Sequence, residues 1–162
     1  MPYYFENFIK LIFKLKPHLY YTTIMKSDNN LNQKTVFEKI IDNEIPSYKI
    51  YEDSKTIAIL DILPINPGHT LVISKKATEK FNQLSETDYL SLMKTVKKIA
   101  NKISQIYHPP RVGVIIEGFE IPHTHVHVFP AYSVDDFHKK TENRKQLSSE
   151  EMKLINNKLK LF

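Results

Sequence analysis

The sequence predicts an α+β domain: a five-stranded antiparallel sheet with a short N-terminal helix, one long helix and a C-terminal helical tail. Three observations carry that expectation. Five short runs rich in β-branched and aromatic residues, such as Tyr48-Lys49-Ile50-Tyr51-Glu52 and Thr70-Leu71-Val72-Ile73, read as strands. Between the third and fourth runs, Tyr89, Leu92, Val96, Ile99, Ile103 and Ile106 recur at helical spacing. The other strands are joined by turns too short for a parallel crossover.

Residues 1–34 read as an N-terminal extension and linker. The first 24 residues are rich in Tyr, Phe, Ile and Leu, but Lys10 and Lys14 interrupt the apolar run from Phe8 to Leu15. Such a run is too short and too charged to span a bilayer, so no stable membrane insertion is expected. This segment lacks Arg and contains Glu6, which argues against a mitochondrial transit peptide. Met25 is an alternative start, and residues 1–24 are then a dispensable extension. A cytoplasmic location is expected, or mitochondrial or other organellar residence should residues 1–24 be a targeting segment.

Residues 35–137 form the domain. Thr35 and Glu38 make a capping box ahead of Phe37, Ile40 and Ile41, which share one helical face. That helix ends near Asn43, and Ile45-Pro46 forces an extended exit. Asp53-Ser54 turns the first strand into the second, Thr56 to Leu60, with Asp61 at its end. Pro64, Pro67 and Gly68 stiffen the loop that delivers His69. The third strand, Thr70 to Ile73, is almost wholly apolar and therefore central. Ser85 and Asp88 open the long helix, and Pro109-Pro110 stops it. Arg111 to Ile116 is the fourth strand, Glu117-Gly118 begins a turn, and His123 to Phe129 is the fifth. The helices are expected on one face of the sheet. Residues 138–162 are a polar segment in which Ser148 and Glu151 cap a short helix through Met152, Ile155 and Leu159.

Composition excludes several classes of function. With 162 residues and 41% hydrophobic content the chain is an ordinary globular protein with one real core. It has no cysteine, which removes disulfides, a thiol nucleophile and any Cys-based zinc site. The net charge of +5 rests on 21 lysines and only two arginines, Arg111 and Arg144. The lysines form no basic cluster with interleaved aromatics, so no nucleic-acid partner is expected.

The chemistry lies in His123-Thr124-His125-Val126-His127-Val128-Phe129. Three of the seven histidines fall at alternate positions. In a strand they line one face, roughly 6.5–7 Å apart, while the β-branched residues pack on the other. That spacing suits one phosphate or one metal. Zinc binding is chemically sound, but only Glu117 and Glu120 stand nearby as carboxylates to orient such ligands. Covalent phosphoryl chemistry fits better, since one imidazole can attack phosphorus while its neighbours bond the phosphate oxygens. The plain alternative is a polar face of a half-exposed strand.

The run His123-Thr-His125-Val-His127-Val-Phe resembles the signature of the histidine-triad (HIT) family, His-φ-His-φ-His-φ-φ. Thr35-Val-Phe-Glu-Lys-Ile-Ile-Asp-Asn-Glu-Ile-Pro-Ser-Tyr resembles the opening helix and turn of its nucleoside-phosphoramidase branch, including small bacterial members. Leu60-Asp-Ile-Leu-Pro-Ile-Asn-Pro-Gly-His-Thr-Leu-Val-Ile-Ser-Lys-Lys resembles its central hairpin. The resemblance covers residues 35 to about 132. It implies a hydrolase or transferase acting at the α-phosphate of purine nucleotides of the AMP-amidate type. It also implies a nucleotidyl-histidine intermediate, no metal or other cofactor, and a homodimer with a shared sheet. By position, His125 is the nucleophile, His127 contacts phosphate, His123 orients the group and His69 is a fourth supporting histidine. Asp61 accepts from the ribose hydroxyls, and Ile62, Phe37 and Ile40 wall the base. In the duller reading Asp61 merely ends a strand, and Phe37 and Ile40 are core.

The chain departs from the family just before the triad. Many members carry an Asn and a Gly-rich loop ending near Gly-Gln-Ser there; this chain has Val114-Ile-Ile-Glu-Gly-Phe-Glu-Ile-Pro. Glu120 thereby joins the nucleotide-binding candidates as a general acid, a substrate-selective group or a turn residue. As a neutral acid it would need a pKa lifted from about 4.3. Two other functions stay open: a dinucleoside-polyphosphate hydrolase, and a nucleotide-binding module with negligible turnover.

Overall fold

The computed structural model describes residues 34–161. The expectations for residues 1–24, Met25 and nearly all of the linker lie outside them. Thr35 opens α1 (Val36–Ile41) with the full reciprocal cap: its hydroxyl takes the Glu38 N–H while the Glu38 carboxylate takes the Thr35 N–H. A β-meander follows, of β1 (Lys49–Glu52), β2 (Thr56–Leu60) and β3 (Thr70–Ser74). The long helix α2 (Glu86–Tyr107) then crosses the sheet to β4 (Arg111–Glu117), and β5 (His125–Ala131) returns between β3 and β4. The sheet order is β1-β2-β3-β5-β4, every pair antiparallel, with β3 central as expected. The capped α3 (Ser149–Leu159) closes the chain.

Both faces of the sheet are covered, which corrects the expectation that the helices share one face. Leu92, Val96, Ile99 and Ile103 of α2, with Met152 and Leu159 of α3, pack on Ala58, Val72, Val126 and Val128. On the opposite face Val36, Phe37 and Ile40 of α1 pack on Ile57, Ile59, Leu71 and Ile73. The reason lies in β2 and β3, which are buried at every position and so need cover on both sides. Full burial of Phe37 alone contributes about 2–3 kcal/mol. Tyr89 and Ile106, expected on the buried stripe of α2, are 38% and 36% exposed. A helix of 22 residues is longer than strands of five to seven can cover, so its ends overhang.

Two local details place the site. Gly68 adopts φ +98, which turns the Pro-rich loop so that His69 enters the core. Gly113 lies opposite Phe129, where an added Cβ would stand 2.4 Å from the Phe129 ring. The ring keeps that space and packs edge-on to His69, centroids 5.6 Å apart. The histidine strand begins at His125, two residues later than expected. Pro122 cannot donate to a ladder, and β4 ends at the Glu117–His125 pair. His123 and Thr124 bond instead to the Ile121 and Thr78 carbonyls. Among the described residues no helix is long and apolar enough to cross a membrane.

Candidate active site

Four imidazoles lie in a row along β5 and its neighbour β3, His125 and His127 within β5, His123 just before it and His69 just before β3, and each tautomer follows from its partners. The Ile65 N–H can only donate, and it donates to His69 Nδ1 at 3.1 Å. His69 therefore carries its proton on Nε2 and donates it to His127 Nδ1 at 3.0 Å. His127 is then left with an Nε2–H, which stands 3.4 Å from a Glu117 carboxylate oxygen. His125 Nδ1 donates to the His123 carbonyl at 2.7 Å, leaving the Nε2 lone pair bare. His123 donates from Nε2 to the Ser74 carbonyl at 2.7 Å, and its Nδ1 receives the Thr35 hydroxyl at 3.2 Å. Both nitrogens of His123 are thus committed to the scaffold.

Burial holds all four rings neutral. Desolvation pushes His127 down to about 3, helped by the nearness of His125 and Arg144. Desolvation likewise lowers His125 and His123, although each accepts partial compensation from its carbonyl bond. His69, wholly buried, lies well below the usual imidazole range, with His127, Arg144 and His125 adding to the desolvation. Asp61 Oδ2 sits 3.2 Å from His69 Nδ1, a contact that becomes an ion pair only if His69 takes a second proton. Asp61 Oδ1 accepts the Leu63 N–H at 2.9 Å.

The expected residues divide into two groups. His125, His127, Asp61, Phe37 and Glu120 line one narrow cavity of about 30 Å³. Phe37 packs edge-on to His125, centroids 4.9 Å apart. His123 and His69 stand behind that cavity as supports. Ile40 packs in the α1 cluster, and Ile62 packs against the cluster on the α2 face, so neither lines the cavity. An adjoining groove of about 410 Å³ shares Glu117, Phe119, Glu120, His127 and Arg144 with it. That larger volume is of nucleotide size.

Sequence reading missed three participants. Thr35 was legible as a helix cap but not as the hydrogen-bond partner of His123. Glu117 was legible only as a nearby carboxylate; the register that sets it against His125 is a fact of pairing. Arg144 gave one signal, an arginine in a chain whose cations are almost all lysine. Among the described residues Asp61, His69 and His127 bring three metal-ligating atoms within 4.8 Å of one another. A metal there would have to break the His69–His127 bond that fixes both tautomers.

The HIT domain family model matches residues 42–134. An uncharacterized HIT-like protein of Borreliella burgdorferi is 38% identical over 125 residues, 73% of this chain and 90% of that one. The adenosine 5'-monophosphoramidase of Saccharomyces cerevisiae is 32% identical over 110 residues, 67% of this chain and 70% of that one. Among solved structures, a hypothetical histidine triad nucleotide-binding protein of Sulfolobus tokodaii superposes with a TM-score of 0.66 at 34% identity. That match covers 76% of this chain and 87% of the other.

Proposed function

This chain belongs to the HIT family, and on that premise we propose that it is a nucleotide hydrolase of the phosphoramidase type, acting at the α-phosphate of purine nucleotides. The observation that carries the reading is the 2.7 Å bond from His125 Nδ1 to the His123 carbonyl. It leaves Nε2 unprotonated, and it stays in place to stabilise the positive charge the ring gains on attack. His125 Nε2 bonds to the α-phosphorus as the phosphorus–nitrogen bond to the leaving amine breaks and the amine takes up a proton. Water then attacks the nucleotidyl-His125, the new phosphorus–nitrogen bond breaks, and nucleoside monophosphate leaves. His127 donates its Nε2–H to a phosphate oxygen throughout, backed by His69. Asp61 accepts from the ribose hydroxyls, and Phe37 walls the base. The relative in Saccharomyces cerevisiae supports the amidate class. The reaction centre falls within residues 35–137, in a homodimer that needs no metal and works in the cytoplasm, or in an organelle should residues 1–24 be a targeting segment. Turnover of AMP-amidate and AMP-lysine above diadenosine polyphosphates is the expected result; a reversed order would select the dinucleoside-polyphosphate hydrolase. Tight AMP binding with no turnover of any adenylylated substrate would select a binding module.

Glu120 stands at the mouth, shared by the cavity and the groove. As a proton donor to the leaving amine, or as a carboxylate facing a cationic leaving group, it matters most when the leaving group is poor. Glu120→Gln should therefore slow amine-leaving substrates more than a p-nitrophenyl ester of AMP. Equal effects on the two would reduce it to a turn residue.

Assembly has its own support. β4 is a sheet edge, and its Val114 and Ile116 are 42% and 38% exposed on alternate positions. An apolar edge of this kind invites pairing with a second copy about a two-fold axis. Sedimentation at micromolar protein should give a dimer, and a monomer would refute the proposal.

A further inference from the structure

The site just described has no positive charge among its imidazoles, yet its substrate is an anion. Resting on the nucleotide reading, we propose that Arg144, supplied by the segment that follows the histidine strand, binds the substrate phosphate and makes the site select phosphorylated nucleosides.

Arg144 reaches the cavity because the chain after β5 folds back over it. Two short 3-10 turns, Val134–His138 and Thr141–Asn143, bring the segment round. Lys139 Nζ then donates to the Ile65 carbonyl at 2.9 Å, pinning the segment to the loop that carries His69. Arg144 Nε donates to the Lys139 carbonyl at 3.2 Å, so the base of the guanidinium is fixed and its far end faces inward. The side chain is only 11% exposed and lines the cavity with His125 and His127. Its charge is felt there, since it helps to hold both His127 and His69 below the ordinary imidazole range.

The nearest carboxylate, Asp61, pairs with this cation only at a distance and leaves most of its donors for another anion. Arg144 Nη1 stands 3.9 Å from Asp61 Oδ2, beyond direct hydrogen-bond reach. A guanidinium removed from water needs an anion that it can grip with its fork, and phosphate matches that fork. Lysine would serve less well, because burial can strip its proton while an arginine keeps its charge. The chain spends only two arginines, and the other, Arg111, bonds an exposed carbonyl at Pro110. Arg144 also lies at the junction of the cavity and the larger groove. An α-phosphate in reach of His125 would therefore sit between the nucleophile and a fixed cation.

Calorimetric titration of the full chain with AMP and with adenosine tests this. Arg144→Gln should weaken AMP binding roughly 10- to 100-fold, the worth of a hydrogen bond to a charged group, and weaken adenosine binding by a much smaller factor. Arg144→Lys keeps the charge but loses the fork, and should weaken AMP by a smaller factor. It carries the test if the glutamine variant fails to fold. Equal loss for AMP and adenosine would make Arg144 a structural residue and overturn the proposal. Unchanged or tighter AMP binding would also overturn it, the latter by showing that Arg144 occludes the site. If the wild-type protein bound neither ligand, the nucleotide reading itself would fall, and the role of Arg144 with it.

Discussion

Purified His125→Ala should lose turnover of AMP-amidate by several orders of magnitude, as removal of a covalent nucleophile does. No neighbour can stand in for it. His123 has both ring nitrogens committed to Ser74 and Thr35, and His127 Nδ1 is occupied by His69. The substitution also strips the His123 carbonyl of its donor, which costs about 1–3 kcal/mol, so a thermal midpoint is read beside the activity. A folded His125→Ala protein with wild-type turnover would sink the covalent mechanism. Addition of a strong chelator to the wild type should change nothing. A large loss would move the chemistry to a metal held by Asp61, His69 and His127.

The fold was legible where one period dominated a stretch. Strand alternation and the apolar stripe of α2 placed the sheet and its longest helix, and Ser/Thr caps placed helix starts to the residue. What escaped was whatever depends on pairing between distant stretches. β2 and β3 looked simply apolar, and only the assembled sheet shows that α1 is needed on its second face. The same limit governs the site. His125, His127 and His69 were readable because their spacing and loop context say something local. The bond between Thr35 and His123 joins positions 88 residues apart, and nothing in either stretch announces it. Arg144 sits in a polar segment whose sequence reads as solvated surface, and its place in the cavity follows from two turns and a lysine anchor. Ile62, the neighbour of Asp61 in sequence, packs against the cluster on the α2 face, which its position beside Asp61 does not announce.

Acid should destabilise this protein well before its carboxylates are protonated. His69, His123, His125 and His127 are all held neutral by burial, so below pH 6.5 the unfolded chain binds protons that the native state refuses. Stability therefore falls as the pH drops from 6.5, and for His127 the loss continues to about 3. One such ring costs about 1.4 kcal/mol per pH unit once the unfolded chain is protonated. His127 alone thus removes roughly 2–3 kcal/mol between pH 6.5 and 4.5. The carboxylates with lowered values, Asp53 and Glu52 among them, act in a lower window: their contribution is lost as pH falls from the ordinary carboxylate values down through the lowered ones. The upper part of the interval from 6.5 to 4.5, above about pH 5.5, accordingly isolates the histidines. Urea titrations across it should show a steady decline, made shallower by His127→Gln. A flat profile would mean that the rings protonate freely in the folded protein, and that the neutral tautomer chain from Ile65 to His127 is not what fills the site. The same neutrality has a kinetic face. With His125 already unprotonated, the acid limb of kcat/KM in the free enzyme should lie below pH 6.5, since attack needs the bare Nε2.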